Sequence, residues 1–348
     1  MRSYLPKITL KSLPYLFSSN ATILPSKPRR FAIFSASIHS TLRCYLFYTP
    51  IVAAAWQRFG YEPIVVLVGD WTNTSSPALQ AQLNLTETFL QRLNVHSIRF
   101  QCNRTYEVKI AQLVRIFGGY LLPTIIKDDD YILTTDSDLI PLMSEDYELR
   151  ENISGVIFNA CCGGFFERRN KSYRMYSMSH ICLRKRIWRD LFLQSIQHKE
   201  LLNSTANRTL LSLNVTLSFE IISLYARQEF LDLYDSNMIK GDAAWYMDQM
   251  YVSMLLHEYA KKTPQIRIGK QMWQRFRLNP QFSELEWQPQ KIKQYGDVHL
   301  VHDQIFQAYR WKLFQNLLGI LFQPTLINEI EQYYQKFNST LTVQSNEY

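Results

Sequence analysis

Two aspartates separated by a single residue follow a short apolar segment near the middle of the chain. Asp136 and Asp138 come directly after residues 131–134, which have the composition of a buried strand. Carboxylates at positions i and i+2 of an extended segment point to one side and can hold a hard divalent cation, Mn²⁺ or Mg²⁺, through oxygen. Such an ion would neutralise a diphosphate leaving group as that group gains charge. The spacing therefore predicts a divalent-metal site at the end of this strand.

The rest of the pattern predicts the sheet that would position these carboxylates. Apolar segments alternate with segments of helical periodicity along most of the chain. The predicted strands are 31–34, 63–69, 96–101, 131–134, 155–158 and 298–301, and the predicted helices are 41–59, 78–92, 107–122, 181–197 and 243–260. This alternation is typical of an α/β fold with a mostly parallel sheet flanked by helices. Ligands of such sheets bind at the carboxyl ends of the strands, where the aspartate pair stands.

The domain organisation follows from the same periodicity. Residues 30–345 are predicted to form a single α/β domain that ends in a helical region at 304–337. Residues 1–29 are rich in Ser, Pro and Lys and are predicted to be a poorly ordered leader or linker. The segment 198–220 holds three glycosylation sequons and little periodicity, which indicates an exposed insertion.

Composition excludes some classes of protein. With 47% hydrophobic and 20% charged residues, the chain is an ordinary globular protein rather than a disordered one. Its net charge of +8 would attract anionic ligands such as diphosphates. No run of Lys and Arg of the nucleic-acid-binding type is present, so we expect no nucleic-acid partner.

Glycosylation sequons indicate the cellular compartment. Chance would give about two Asn-x-Ser/Thr sequons in a chain of this composition, and the excess favours N-glycosylation in the ER or Golgi lumen, or secretion. No membrane anchor is visible, since no segment reaches the roughly 18 apolar residues of a membrane span. The N-terminus also lacks the apolar core of a signal peptide, which we attribute to a truncated or mispredicted start. The sequons begin at Asn20, Asn73, Asn84, Asn103, Asn152, Asn170, Asn203, Asn207, Asn214 and Asn338.

The five cysteines would allow up to two disulfides with one thiol left over in that compartment, and their spacing fits no zinc template. They are Cys44, Cys102, Cys161, Cys162 and Cys182.

A second class of enzyme shares part of the aspartate motif. Haloacid-dehalogenase phosphatases carry Asp-x-Asp-x-Thr/Val, usually after the first strand of the domain. Here the fifth position is Ile140, and the motif lies after the fourth predicted strand. Both facts count against a phosphatase, which stays an alternative.

The order of segments around the aspartates resembles the GT-A glycosyltransferases, and within them the glycogenin-like, family 8 type. Such proteins carry a helix with an arginine, a short gap, and then an apolar strand that runs into Asp-x-Asp. Here the helix contributes Arg115, and Tyr131 to Asp138 follow. The resemblance implies that Arg115 contacts the diphosphate or a carboxylate of the site. Lys109 and Gln112 would share the helix face that looks toward the ligand.

Three further segments are similar to the family pattern. Asp248 and Gln249 match an Asp-Gln pair at the start of a helix, which the family places near the reacting carbon of the sugar. Ser179 and His180 stand where the family has Asn-Ser in a sugar-binding turn. Residues 298–303 are similar to the strand whose histidine completes the metal shell; His302 is our first choice as ligand and His299 the second. Arg310 and Trp311 stand loosely where the family has a Lys-Pro-Trp phosphate clamp, without the proline.

The resemblance implies a metal-dependent hexosyltransferase. A nucleoside diphosphate sugar, expected to be a UDP-sugar, would donate the sugar to a hydroxyl group of a glycan, glycoprotein or glycolipid. Asp136, Asp138 and His302 would hold Mn²⁺ or Mg²⁺, and the carboxylate of Asp248 would lie nearest the anomeric carbon. The residues expected to bind the nucleotide-sugar are Ala36, Ser37, Asp70, Lys109, Arg115, Asp136, Ser137, Ser179 and His180.

In one alternative, the chain has the same fold but no transferase activity. A secreted carbohydrate-binding glycoprotein on an inactive transferase scaffold would bind sugar without metal, and it would tolerate exchange of Asp136 and Asp138.

Overall fold

The structure of the chain, a computed structural model, describes residues 27–344 apart from 75, 123, 150–152, 159–163, 194–216, 240, 264–267, 271–275 and 279–288. The strands in this part of the chain are β1 (Arg30–Ser37), β2 (Glu62–Gly69), β3 (His96–Gln101), β4 (Tyr131–Thr134), β5 (Leu139–Pro141), β6 (Gly155–Ile157), β7 (Phe165–Arg168), β8 (Lys171–Arg174), β9 (Ile181–Arg184), β10 (Ile268–Lys270), β11 (Phe276–Leu278) and β12 (Tyr295–His299). The α-helices are α1 (Cys44–Gln57), α2 (Pro77–Arg92), α3 (Glu107–Leu113), α4 (Lys185–Leu193), α5 (Phe219–Tyr234), α6 (Met247–Lys262), α7 (Pro289–Ile292), α8 (Ala308–Leu321) and α9 (Pro324–Gln344).

A seven-stranded sheet in the order β10-β6-β9-β4-β1-β2-β3 forms the centre of the fold. Every strand in it runs parallel to the others except β9, which is antiparallel to both of its neighbours. The predicted mixed α/β fold with a mostly parallel sheet is confirmed. The chain runs from β1 outward through β2 and β3 and then returns to place β4 on the other side of β1. The carboxyl ends of β1 and β4 therefore flank a topological switch point, where open α/β sheets form their ligand crevice.

The sheet is buried on both faces. Along β1, Ala32, Phe34 and Ala36 join the apolar cluster that holds α1 and α2, whereas Phe31 and Ile33 join the opposite cluster with α3, α4 and α6. Continuous apolar strands of this kind are characteristic of parallel sheets with helices on both sides.

A three-stranded sheet in the order β11-β12-β5 lies beside the crevice. Its strand β5 starts directly after Asp138, and β12 pairs with it antiparallel so that His299 is opposite Leu139. The backbone N–H of Leu300 also donates to the carbonyl of Asp138, at 2.7 Å. This pairing brings the C-terminal histidines to the aspartate motif.

Three predicted elements differ in the structure. The predicted helix 107–122 is α-helical only to Leu113 and continues as a 3₁₀-helix over Val114–Tyr120. The predicted helix 181–197 begins instead as β9, because residues 181–184 pair with β4 and β6, and becomes helical at Lys185. The predicted strand 298–301 lies earlier, at Tyr295–His299, so that His302 follows the strand rather than ending it.

The C-terminal region is helical, as predicted, and is divided between α8 and α9. Trp311 of α8 stacks on Tyr334 of α9 with ring centroids 3.6 Å apart. Trp311 is thus part of the helical core, and neither it nor Arg310 lines the cleft described below. The predicted leader, apart from residues 27–29, and most of the predicted insertion at 198–220 lie outside the described residues.

Five of the ten sequons fall in the described residues. Asn73, Asn84, Asn103 and Asn170 are exposed, and Asn338 is half-buried. Glycosylation itself stays a prediction. No helix in the described part of the chain is long and apolar enough to cross a membrane.

The described cysteines are free thiols. Cys44, Cys102 and Cys182 are all buried, and burial raises the pKa of the Cys102 thiol to about 12. The two disulfides that five cysteines would allow are therefore not formed. Cys161 and Cys162 lie outside the described residues.

Candidate active site

A cleft of about 230 Å³ opens at the switch point between β1 and β4. It brings together the end of β1, the aspartate motif after β4, one face of α3, the first turn of α6 and the loop after β12. The predicted site residues that line it are Ala36, Ser37, Gln112, Arg115, Asp136, Ser137, Asp138, Asp248, Gln249, His299 and His302. Residues from five separate parts of the sequence therefore converge on one site, at the edge of the sheet where we expected it.

Arg115 is the centre of the charge network. Its guanidinium is buried and contacts the carboxylate of Asp136, the carbonyl oxygen of Thr135 at 2.8 Å, and Oδ2 of Asp248 at 2.8 Å. Burial alone would lower the pKa of Arg115, but the two carboxylates outweigh it and raise that pKa. The arginine therefore stays charged and holds the two acids in place through its planar donors.

Asp248 has the environment of a group that titrates near neutral pH. It lies in the first turn of α6, only 3% exposed, and its Oδ1 accepts the backbone N–H of Gln249 at 2.8 Å. Burial raises its pKa to about 6, and the nearby Asp136 adds to the rise while Arg115 opposes it.

Asp138 lies against the histidines of the C-terminal loop. Its Oδ2 is 3.1 Å from Nε2 of His299, and His302 lines the same cleft with its Nε2 at 3.2 Å from the hydroxyl of Tyr45. Burial raises the pKa of Asp138, and Asp136 adds to this, whereas both histidines oppose it. His299, our second choice as ligand, is in direct contact with the aspartate. Among the described residues, no group of three or more potential ligands is arranged as a ready-made metal site.

Two predicted nucleotide contacts do not line the cleft. Lys109 is on α3, but its ammonium donates to the carbonyl oxygens of Leu233, Tyr234 and Ser236 behind the helix. Asp70 accepts hydrogen bonds from its own loop and from Gln101 and borders a different groove. Each side chain has protein partners that direct it away from the cleft, and a role of either residue in nucleotide binding stays a prediction.

Ser179 and His180 are also placed differently from the prediction. Both are buried behind the cleft rather than lining it, with exposed fractions of 1% and 0%. His180 Nε2 lies 3.0 Å from Oδ2 of the buried Asp297, and its Nδ1 lies 2.9 Å from the hydroxyl of Ser179. The neighbouring Ser177, which the sequence analysis did not single out, lines the cleft in their place.

Sequence reasoning also missed Glu107. This buried carboxylate accepts hydrogen bonds from the hydroxyl of Ser37, from both the backbone and Nδ1 of His39, and from the backbone of Asp70. It ties the loop after β1, which borders the cleft, to the first residue of the loop after β2. An acid at the start of an amphipathic helix is so common that the sequence carries no signal for this role.

Comparisons with known proteins give weak likenesses. No family model matches the sequence, and no curated protein matches it. Among solved structures, 4-diphosphocytidyl-2C-methyl-D-erythritol synthase is similar at 12% identity and a TM-score of 0.30, covering 66% of this chain and 99% of that one. A glycosyltransferase involved in glycosylation of the major capsid of PBCV-1 is similar at 10% identity and a TM-score of 0.27, covering 73% and 98%. The PaToxG glycosyltransferase is similar at 11% identity and a TM-score of 0.26, covering 66% and 87%. These identities and scores are too low to indicate a shared activity.

Proposed function

We propose that the chain transfers a hexosyl group from a nucleoside diphosphate sugar, a UDP-sugar by preference, to a hydroxyl group of a glycan, glycoprotein or glycolipid. The observation that carries the proposal is the network in which Arg115 joins Asp136 to Asp248 at the switch point, with Asp138 and two histidines beside it. An arginine and an acidic pair at the carboxyl ends of parallel strands suit a diphosphate and its cation.

The chemistry of the donor set fits Mn²⁺ or Mg²⁺. Asp136 and Asp138 supply carboxylate oxygens, and His302 or His299 supplies an imidazole nitrogen. The raised pKa of Asp138 supports this assignment, because burial beside a second carboxylate penalises its charge and a cation would relieve that penalty. The ion, when bound, would neutralise the charge that develops on the departing diphosphate. When the ion binds, the carboxylate of Asp138 would give up its contact with His299 and become a ligand of the ion.

Two side chains of the protein, Arg115 and Asp248, would supply the remaining functions of the site. Arg115 would hold the carboxylates of Asp136 and Asp248 in position and add positive charge beside the diphosphate. Asp248, with a pKa of about 6, would be ionised at neutral pH and close enough to its neutral form to exchange a proton with an acceptor hydroxyl. In an inverting enzyme it would be the general base, whereas the likeness of the Asp-Gln pair to family 8 favours retention.

A lumenal location belongs to the same proposal. Four of the five described sequon asparagines are exposed, which leaves them accessible to the glycosylation machinery of the ER and Golgi.

A second candidate has one observation in its favour. Both carboxylates of the motif already have protein partners, Arg115 and His299, and no metal cluster is preformed in the described residues. An inactive scaffold that binds carbohydrate would show the same contacts.

The proposal is tested by incubating the full chain with UDP-glucose, UDP-galactose and GDP-mannose and a mixture of glycan, glycoprotein and glycolipid acceptors, with Mn²⁺ or with a chelator, and measuring released nucleoside diphosphate. We expect release from one donor that depends on Mn²⁺. Arg115→Gln should abolish it, whereas Arg92→Gln, which alters an exposed arginine paired with Glu329, should not. Sugar binding without release from any donor would favour the inactive scaffold.

A further inference from the structure

A chain of hydrogen bonds runs from the cleft to a buried carboxylate behind it. The hydroxyl oxygens of Ser177 and Ser179 are 2.7 Å apart, and the hydroxyl of Ser179 is 2.9 Å from Nδ1 of His180. Nε2 of His180 is in turn 3.0 Å from Oδ2 of Asp297. Ser177 lines the cleft, and the three groups behind it have exposed fractions of 1% or less. We call these four residues the relay.

With Asp297 ionised and His180 neutral, the relay has one direction of donation. An ionised Asp297 can only accept, so Nε2 of His180 donates to it and Nδ1 of the neutral imidazole is left as an acceptor. Ser179 therefore donates to Nδ1, and its oxygen accepts the hydroxyl hydrogen of Ser177. The hydrogen of Ser177 then points away from the cleft, and its oxygen lone pairs face the ligand.

Rigid elements hold both ends of the relay. The hydroxyl of Thr134, the last residue of β4, donates to the carbonyl oxygen of Met178 at 2.5 Å and lies 3.2 Å from that of Ile181, and so fixes the turn that carries the serines. At the other end, Asp297 lies within β12, paired with Pro141 of β5. A hydroxyl held in this way loses little freedom when a ligand binds it.

Other acceptors face the same cleft. The side-chain oxygens of Gln112 and Gln249 are buried and have no hydrogen-bond partner among the described residues, although both residues line the cleft. Unpaired buried acceptors favour a ligand that brings hydrogen-bond donors to them. A sugar with free hydroxyl groups brings such donors, whereas a carboxylate on the sugar brings only acceptors.

Resting on the proposed function, we infer that Ser179, His180 and Asp297 are positioning residues that make Ser177 a fixed hydrogen-bond acceptor for a hydroxyl group of the transferred sugar. The transferred group is accordingly a neutral hexose rather than a sugar acid. The relay acts on the ligand through Ser177 alone.

The test is a double-mutant cycle read by calorimetry in the presence of Mn²⁺. The ligands are UDP-glucose, UDP-galactose, GDP-mannose and UDP-glucuronic acid, with UDP and GDP to isolate the part of the affinity that depends on the sugar. The variants are Ser177→Ala, Ser179→Ala and their combination. Ser223→Ala is the control, because Ser223 is an equally buried serine whose hydroxyl bonds to Tyr234 away from the cleft.

We expect Ser177→Ala and Ser179→Ala each to weaken binding of the preferred neutral sugar nucleotide between about twofold and tenfold, the range of one hydrogen bond. Binding of UDP and GDP should not change, and the double variant should lose no more than Ser177→Ala alone. Ser223→Ala should change no affinity.

Other outcomes overturn the inference. Losses that add in the double variant, losses that also appear with UDP or GDP, or a preference for UDP-glucuronic acid would show that the relay only supports the fold. If the wild type binds sugar nucleotides and Ser179→Ala binds them equally well, the inference fails and the proposed function stands. If the wild type binds none of the ligands, both fail.

Discussion

Replacing Asp248 by asparagine tests the environment that the structure gives to this carboxyl group. The substitution keeps the size of the side chain and removes its titration. The native pKa of about 6 lies above the ordinary value of 3.8, so the folded protein binds this proton more tightly than the unfolded chain. The protonated carboxyl group of Asp248 therefore stabilises the folded wild type at low pH. This contribution to the free energy of unfolding is lost as the pH rises toward and through about 6.

The size of the effect follows from the two pKa values. A carboxyl group with a pKa of about 6 when folded and 3.8 when unfolded loses about 2 kcal/mol of stabilisation between pH 4.5 and 7.5. Because asparagine does not titrate, Asp248→Asn does not lose this stabilisation as the pH rises. The free energy of unfolding of the variant minus that of the wild type should therefore rise by about 2 kcal/mol from pH 4.5 to 7.5. The test uses this change and does not depend on the size of the difference at any single pH.

Urea unfolding at both pH values measures this difference. Asp232→Asn is the control, because the hydrogen bond from Arg168 lowers the pKa of Asp232; its titration lies below this pH interval, and its relative stability should stay nearly flat. A relative stability of Asp248→Asn that is flat or falls with rising pH would refute the reasoning. It would show that the ion pair with Arg115 outweighs burial and keeps the carboxylate charged.

The same variant separates a catalytic role from a structural one. A carboxylate beside the reacting carbon should contribute on the order of 3 kcal/mol to the transition state, so turnover should fall roughly a hundredfold while nucleotide affinity persists. Turnover within a few-fold of wild type would leave Asp248 as a helix-start residue, for which asparagine serves as well.

Three further predictions concern the fold and its processing. Glu107→Gln should lower the free energy of unfolding by about 1–3 kcal/mol in urea titrations at pH 7, because an amide cannot accept all four donors; an unchanged value would contradict this. Gly119→Ala should also destabilise by about 1–3 kcal/mol, since its Cβ would lie 2.8 Å from the backbone N of Arg189. Gly319→Ala, on an open face of α8, should instead stabilise by about 0.5–1 kcal/mol, and equal effects in thermal melts would refute the packing argument. Glycosidase treatment of the protein secreted from eukaryotic cells should lower its apparent mass, and a single unshifted band would contradict the lumenal location.

The parts of the site that sequence could predict are those with local spacing. Asp136 and Asp138 follow an apolar strand within a few residues, so their position at the edge of the sheet follows from the alternation of elements alone. Arg115 is predictable in the same way, because it lies on the last helix before that strand.

Residues whose roles depend on distant partners could not be predicted. The ammonium of Lys109 donates to carbonyl groups contributed by residues 233–236, which lie between 124 and 127 residues further along the chain. His180 meets Asp297 across 117 residues of sequence. Its direction depends on the placement of β12 beside β5, which no local pattern specifies.

The most direct test of the central claim is whether a divalent metal links the protein to a sugar nucleotide through Asp138. Calorimetry with the preferred donor, with and without Mn²⁺, should be compared between wild type, Asp138→Asn and Asp129→Asn, an exposed aspartate paired with Arg184. We predict that Mn²⁺ tightens donor binding at least tenfold in wild type and in Asp129→Asn and has no effect in Asp138→Asn. Donor affinity that is independent of Mn²⁺ in the wild type, or full Mn²⁺ dependence in Asp138→Asn, would contradict the account.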